Sequence, residues 1–237
     1  MPFNIDITEI KTSIDTYNSG NWKFLDYSTS TIFTDRVLRL STLPQQILTI
    51  SEWWKGINTR TDQDATKNIF KKLKENLPKM NRLLITLDDF DYLTNYDQNK
   101  LFSLIDDIFP IILGANTDKY LVFISKFMHW CRPNVFPIYD RRTRIAINIL
   151  QTISNIERVR ILKKGKPKNT NECINEYKKL VTFYQTLINE FKANHCNKLI
   201  EYDWKSQSRK RGVGEAYVVQ NTILRVLDKH FFIDGEE

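Results

Sequence analysis

Apolar residues recur every three or four positions along most of this chain, a spacing that predicts amphipathic helices. Between Tyr120 and Cys131 only Ser125, Lys126 and His129 are polar, so this segment is predicted to be a central, buried helix. The other predicted helices cover residues 5–17, 44–56, 62–77, 81–93, 98–113, 171–193 and 214–232, and one more follows Asp140. Residues 27–34 differ, because their β-branched and aromatic side chains favour a short strand or hairpin.

The composition fits a mainly α fold. The 237 residues are 41% hydrophobic and include only 7 glycines and 7 prolines, which disfavours collagen-like, linker-rich and turn-dense all-β chains. This length suits one large domain or two small lobes. The 3 cysteines form no C-x-x-C pair, and the chain shows neither a signal peptide nor a membrane-length apolar run. We therefore expect a cytoplasmic, monomeric protein with free thiols and no membrane partner.

The net charge of +7 is unevenly distributed. Residues 1–118 contain 13 Lys/Arg and 16 Asp/Glu, whereas residues 119–237 contain 22 and 12. A local excess of this kind concentrates a polyanion such as DNA, although a solvated basic surface on a Lys-rich chain has the same signature. We divide the chain into a mixed N-terminal segment (1–43), an acidic helical lobe (44–118) and a basic helical lobe (119–237) that carries the candidate active site.

Several enzyme classes are disfavoured because their motifs are missing. The chain has no G-x-x-x-x-G-K-S/T, no strand-bound G-x-G-x-x-G, no G-x-S-x-G and no H-E-x-x-H. The 3 histidines are scattered, so we predict no metal and no cofactor. The close spacing of Asp88, Asp89 and Asp91 would suit a metal-dependent nuclease, but on the predicted helix 81–93 these carboxylates spread around the surface, and we expect a solvated acidic face.

Lys126 and Asp140 are the candidate catalytic residues. A lysine within an apolar helix is costly unless it reaches water, a carboxylate or a ligand, although it also fits a narrow polar stripe with Ser125 and His129. A carboxylate at a helix N-terminus is held ionised by the dipole and the backbone N–H groups. Asp140 equally suits an ordinary N-cap of the following helix.

The residues from Ile124 to Arg144 read ISKFMHWCRPNVFPIYDRRTR: a Ser-Lys pair in an apolar helix, the spacing P-x-x-x-P-x-x-D, and a basic helix. This segment, about 21 of 237 residues, resembles bacterial proteins with an 8-oxoguanine-glycosylase-like fold, distant members of the helix-hairpin-helix DNA glycosylase superfamily. The resemblance implies a two-lobed helical fold with a DNA cleft, in which Lys126 and Asp140 occupy the base-excision site. Two features depart from the family: no L-P-G-V-G-x-K hairpin precedes Lys126, and the gap to Asp140 is shorter than usual.

The function that the resemblance implies is a DNA glycosylase acting on double-stranded DNA. The excised base would be an oxidised purine or a hypermodified phage base such as glucosylated hydroxymethylcytosine, in base-excision repair or anti-phage defence. Asp140 would stabilise the oxocarbenium-like sugar, and Lys126 would either attack C1′ or pair with Asp140; we favour the second, monofunctional mechanism. The substrate-binding candidates are Trp54, His129, Phe136, Tyr139 and Tyr217. The DNA-binding candidates are Arg141, Arg142, Arg144, Lys163, Lys164, Arg209, Lys210, Arg211, Gly212 and Gly214.

Two other functions fit the same residues. A non-catalytic DNA-binding module would need Asp140 only as a helix cap, and a helical protein-interaction domain would present its basic face to an acidic protein. Replacing Asp140 by Asn and testing DNA retention at moderate salt separate the three alternatives.

Overall fold

The computed structural model describes residues 5–57, 64–113, 117–153, 167, 169–208, 219 and 221–235, and in these residues the chain is mainly helical. The helices are α1 (Ile7–Ser19), α2 (Trp22–Ile32), α3 (Leu43–Leu48), α4 (Ala65–Glu75), α5 (Leu77–Ile85), α6 (Gln98–Ile112), α7 (Thr117–Cys131), α8 (Arg141–Ile153), α9 (Thr170–Ser208) and α10 (Ile223–Asp234); a π-helical turn (Thr49–Trp53) continues α3. Across these ranges the only β pairing is one isolated bridge between Asp91 and Asn95. The predicted mainly α class is confirmed.

The strand or hairpin predicted at 27–34 is wrong, because α2 continues to Ile32. The β-branched and hydroxyl side chains are accommodated by bonding back to helix carbonyls: Thr29 Oγ1 donates to Leu25 O at 2.7 Å and Thr31 Oγ1 to Ser28 O at 2.8 Å. One side of α2, including Lys23, Asp26 and Thr29, is buried. Tertiary packing of this face therefore outweighs local β propensity.

Three predicted helix boundaries also differ. The helix predicted over 81–93 ends at Ile85, after which Asp91 Oδ1 accepts the N–H of Leu93 at 2.7 Å and holds a turn. The helix predicted over 171–193 extends to Ser208, with a break at Lys192, where φ is 58°. The helix predicted over 214–232 begins at Ile223, because Thr222 caps it by accepting the N–H of Arg225.

The predicted central position of α7 is correct. Leu121, Phe123, Ile124, Phe127 and Met128 are fully buried. The helix packs against α6, α9 and the π-helical turn, so side chains from all three predicted segments of the chain join one continuous apolar core. This packing fixes the position of the polar residues of α7 with respect to their neighbours.

Helices from the two ends of the described chain pack together. α1 lies against α10 and α9, and α10 also contacts α8. Most of α10 is buried, including the charged residues Arg225, Asp228 and Lys229. In the described ranges no helix is long and apolar enough to cross a membrane.

Candidate functional site

The connector between α7 and α8 brings Asp140 back onto the middle of α7. Ser125 Oγ accepts the Tyr139 N–H at 3.1 Å, and its one proton can go to either of two carbonyls, Tyr139 O at 3.2 Å or Val122 O at 3.0 Å. From α9, the Tyr177 hydroxyl donates to the Pro137 carbonyl at 2.8 Å. The residue after Tyr139 is thereby held beside Lys126, the neighbour of Ser125 on α7.

Lys126 and Asp140 form an ion pair with 3.2 Å between Nζ and Oδ2, and their side chains are 9% and 14% exposed. Asp140 is the N-cap of α8, as predicted, because its Oδ1 accepts the N–H of Thr143 at 3.0 Å. Burial by itself would raise the pKa of the Asp140 carboxyl, but the Lys126 ammonium and the hydrogen bonds from Thr143 outweigh it and hold this pKa below its ordinary value. Asp140 is therefore an ionised carboxylate at neutral pH.

The second partner of the Lys126 ammonium is a backbone carbonyl. Lys126 Nζ donates to Trp54 O at 2.9 Å. This carbonyl lies in an irregular backbone segment. The π-helical turn ends at Trp53, and Lys55 has a φ of 52°. The Gly56 N–H then donates to Ile50 O at 2.9 Å. π-helical turns and positive φ at non-glycine residues are uncommon and tend to occur at functional sites.

A buried polar network continues from Asp140 into α10. Thr143 Oγ1 lies 3.2 Å from Asp228 Oδ1, and Asp228 Oδ2 accepts a close hydrogen bond from Arg225. Arg225 in turn donates to Asp26 Oδ1 at 2.7 Å and to the Tyr17 hydroxyl. Sequence analysis missed this network, although the charged residues 225, 228 and 229 inside an apolar helix were a usable signal.

The same helix carries a second buried ion pair. Lys229 Nζ lies 2.7 Å from Asp203 Oδ1, and both side chains are about 1% exposed. Asp203 also accepts hydrogen bonds from Asn18 and Asn221. Burial opposes its ionisation, but the Lys229 ammonium and these donors lower the pKa of Asp203 below its ordinary value.

A cavity of about 280 Å³ opens beyond Lys126 at the C-terminal end of α7. Its lining combines apolar and polar side chains: Phe33, Leu87, Asp88, His129, Trp130, Arg132, Asn134, Asn221 and Thr222 are among them. Two buried donors of this lining, Trp130 Nε1 and Arg132 Nε, have no hydrogen-bond partner in the described part of the chain. Trp54 connects the cavity to the ion pair, since its ring lies 5.3 Å from that of Trp130.

His129 is neutral in this site. Its Nδ1 lies 2.7 Å from the Phe136 carbonyl, which can only accept, so Nδ1 carries the proton and Nε2 is an acceptor. Burial and the nearby Arg225 lower the pKa of His129 to about 3. The residue lies one turn from Lys126 and lines the cavity.

The aromatic substrate-binding candidates are packed in the protein interior. Phe136 is fully buried, and Trp54 and Tyr139 are also buried. The Trp54 indole donates to Thr29 Oγ1 at 2.8 Å, and the Tyr139 hydroxyl hydrogen-bonds Arg144. Of the three, Trp54 is in contact with both the ion pair and a residue of the cavity wall.

The first turn of α8 carries three of the predicted DNA-binding arginines. Arg141 is exposed, whereas Arg142 is half-buried with its guanidinium 4.1 Å above the Phe232 ring. Arg144 is also half-buried and contacts Tyr139. The remaining candidates lie outside the described residues: Lys163, Lys164, Arg209, Lys210, Arg211, Gly212, Gly214 and Tyr217.

The carboxylates at 88–91 do not form a shared cluster. Asp88 pairs with Arg132, with 3.0 Å between Oδ1 and Nη2, and Asp91 holds the turn described above. They do not lie on a helix, contrary to the expectation for 81–93. Throughout the described ranges, no three His, Cys, Asp or Glu side chains come together as candidate metal ligands.

Comparison with known proteins gives no assignment: no family model, no curated protein and no solved structure matches this chain.

Proposed function

We propose that this protein is a DNA glycosylase that extrudes a modified or damaged base from double-stranded DNA and cleaves its N-glycosidic bond. The observation that carries the proposal is the contact between Lys126 Nζ and Asp140 Oδ2 at the N-terminus of α8. An ionised carboxylate in a largely dry site is the group that cleavage of a glycosidic bond requires. The resemblance of residues 124–144 to the glycosylase superfamily agrees with this chemistry.

Asp140 is the catalytic carboxylate in this mechanism. Departure of the base leaves positive charge on the sugar, and a fixed negative charge close to C1′ lowers the energy of that transition state. The same carboxylate positions the water that attacks C1′ and accepts its proton. The lowered pKa of Asp140 keeps it ionised, and the N–H of Thr143 fixes its orientation.

In this proposal the enzyme is monofunctional, and Lys126 does not attack the sugar. Its ammonium donates to two fixed acceptors, Trp54 O and Asp140 Oδ2, and attack on C1′ would require it to lose a proton and break both contacts. Lys126 therefore holds Asp140 in place. The products are a free base and an abasic site, without strand cleavage.

The cavity at the end of α7 is the site for the extruded base. Its volume of about 280 Å³ is just below the usual range for small-molecule sites, ~300–1,000 Å³. Phe33 and Trp130 offer apolar surface to a planar base, and Asn134 and Asn221 offer polar side chains to its edge. A base with a polar edge, such as an oxidised purine or a glucosylated pyrimidine, suits this mixed lining.

Arginines at the start of α8 bind the DNA backbone in this proposal. Arg141 is exposed next to Asp140, so it can neutralise a phosphate close to the reacting sugar. Affinity for DNA should then fall steeply as salt is raised. A repair enzyme would act on oxidised purines, and an anti-phage enzyme on hypermodified bases.

The test is release of free base and formation of alkali-labile abasic sites. The substrates are duplexes containing 8-oxoguanine, uracil, alkylated bases or glucosylated hydroxymethylcytosine. The variants are wild type, Asp140→Asn and the matched control Asp97→Asn; Asp97 caps α6 in the same way, accepting the Lys100 N–H at 3.0 Å. Asn is as good an N-cap as Asp, so both variants should fold.

Release from one substrate, lost by about 10²-fold or more in Asp140→Asn and retained in Asp97→Asn, is the expected result. Equal activity of the two variants would reduce Asp140 to a helix cap and overturn the mechanism. Tight, salt-sensitive DNA binding with no release from any substrate would favour the non-catalytic DNA-binding module instead.

A further inference from the structure

Thr143 lies between the carboxylates of Asp140 and Asp228. Its backbone N–H donates to Asp140 Oδ1 at 3.0 Å, and its hydroxyl donates to Asp228 Oδ1 at 3.2 Å. The same hydroxyl is also among the donors that lower the pKa of the Asp140 carboxyl. A threonine hydroxyl has one proton, so it can donate to only one of the two carboxylates at a time.

We infer that Asp228 is a positioning residue for Asp140, and that it acts in its protonated form through the Thr143 hydroxyl. A protonated Asp228 donates to Thr143 Oγ1, and the Thr143 proton then turns to Asp140. Asp140 receives two hydrogen bonds from one residue, from the N–H and the hydroxyl of Thr143. The effect of these hydrogen bonds on catalysis rests on the proposed glycosylase function.

The surroundings of Asp228 favour this protonation state. Its side chain is 4% exposed, and two carboxylates that share one hydroxyl repel each other when both are ionised. Charged and titratable groups face it from every side: Arg225 on α10, Lys126 on α7, Asp140 on α8, Tyr17 on α1 and Tyr184 on α9. Burial, supported by Asp140 and opposed by Arg225 and Lys126, raises the pKa of Asp228 to about 7.

Ionisation of Asp228 has a specific effect on the site. The Thr143 hydroxyl then turns toward Asp228, as the 3.2 Å hydrogen bond allows, and Asp140 loses one of its donors. Arg225 holds the other oxygen of Asp228, so the carboxylate cannot rotate away. Base release should therefore decrease as Asp228 ionises, even though Asp140 itself stays ionised throughout.

The experiment combines a pH–rate profile with direct titration of the two carboxyls. Base release is measured between about pH 5 and 9 for wild type, Asp228→Asn, Thr143→Val and Thr143→Ser. Asp234→Asn is the control, because this residue is also on α10 but contacts Ser13 and His230 rather than Thr143. In parallel, carbon NMR of protein labelled at the aspartate carboxyls follows each group, and the variants assign the resonances.

The expected wild-type rate falls by about tenfold through the titration of Asp228, the effect of one hydrogen bond to a charged group. Asp228→Asn, whose amide mimics the protonated acid, keeps the low-pH rate and loses this decrease. Thr143→Val has the lower, alkaline rate at every pH because its side chain donates to neither carboxylate, Thr143→Ser restores the wild-type profile, and Asp234→Asn follows wild type. An unchanged alkaline decrease in Asp228→Asn overturns the inference.

The NMR measurement separates this inference from the proposed function. If no base is released from any substrate, the glycosylase proposal fails, and the carboxyl titrations still test the hydrogen bonds that join Asp228, Thr143 and Asp140. Two results support the inference: Asp228 is protonated at pH 6, and Thr143→Val raises the titration midpoint of Asp140 because it removes a hydrogen-bond donor. Asp228 ionised at pH 6, or an Asp140 midpoint unaffected by Thr143→Val, overturns it.

Discussion

The backbone oxygen of Trp54 accepts a hydrogen bond from Lys126 Nζ at 2.9 Å, which joins the irregular turn after α3 to the middle of α7. The ammonium is held from two sides, by this carbonyl and by the Asp140 carboxylate. The position of Lys126 therefore depends on the backbone of residues 49–56 as much as on its own helix.

Gly56 is the point at which this turn is most sensitive to substitution. A Cβ at this position would lie 2.8 Å from Ile50 O and 3.3 Å from Phe123 Cα, both of which are backbone atoms. We expect Gly56→Ala to lower the free energy of unfolding by about 1–3 kcal/mol. Gly20→Ala is the control, because its Cβ would meet only the movable side chain of Trp22, and urea denaturation measures both. Equal effects of the two substitutions would contradict the prediction.

The ion pair of Asp140 predicts a dependence of stability on pH. Because the folded pKa of Asp140 lies below its unfolded value, the pair stabilises the fold above about pH 4 and loses this contribution as the pH falls through the folded pKa. Asp140→Asn should lower the free energy of unfolding by about 1–3 kcal/mol at neutral pH, and by less at about pH 3. Urea denaturation of both proteins at the two pH values gives the comparison. A constant difference would show that the charge of Asp140 contributes nothing.

Lys229 should contribute more to stability than any exposed lysine. Lys229→Met would leave Asp203 ionised and buried without its cation, at a cost of about 3–5 kcal/mol. The exposed pair of Lys205 and Glu201 offers the control: Lys205→Met removes an ion pair of 2.5 Å whose partners are 58% and 62% exposed. The loss of stability there should be small, because water and salt screen an exposed pair. Thermal or urea denaturation in which the two variants lose similar stability would refute this assignment.

His129 should remain neutral across the physiological range. Its pKa of about 3 arises from burial and from the positive charge of Arg225, so its imidazole should not titrate between about pH 5 and 8. The stability that its neutral form provides is present above the unfolded pKa of about 6.5 and is lost as the pH falls toward 3. Nitrogen NMR of the imidazole, assigned with His129→Gln, gives the answer; a midpoint near 6.5 would contradict burial of this ring.

The helices that sequence analysis predicted best are those whose local pattern agrees with their packing. α7 and α6 have apolar faces at helical spacing and were placed to within a few residues. The cap at Asp140 was also correct, because the N-cap preference is a local property. The failure at 27–34 has a tertiary cause: the face of α2 with Asp26 and Thr29 is buried against partners such as Arg225 on α10, which no local pattern reveals.

The candidate site was only partly predictable for the same reason. The proximity of Lys126 and Asp140 follows from a connector that doubles back between two helices, and the quoted segment indicated it. Thr143 and Asp228 are 85 positions apart, and Trp54 and Lys126 are 72 positions apart. Contacts over such separations depend on how the whole chain packs, so the buried network and the carbonyl partner of Lys126 required the structure.

The pairing of α1 with α10 determines when this protein can fold during synthesis. Asn18 contacts Lys229 across 211 positions, and Ser13 contacts Asp234 across 221. At roughly 5–20 residues per second, a ribosome needs roughly ten to forty seconds to make the intervening chain. Throughout that interval the apolar face of α1, with Ile10 and Ile14, has no α10 to cover it. The contacts between α1 and α10 can therefore form only after α10 has been synthesised.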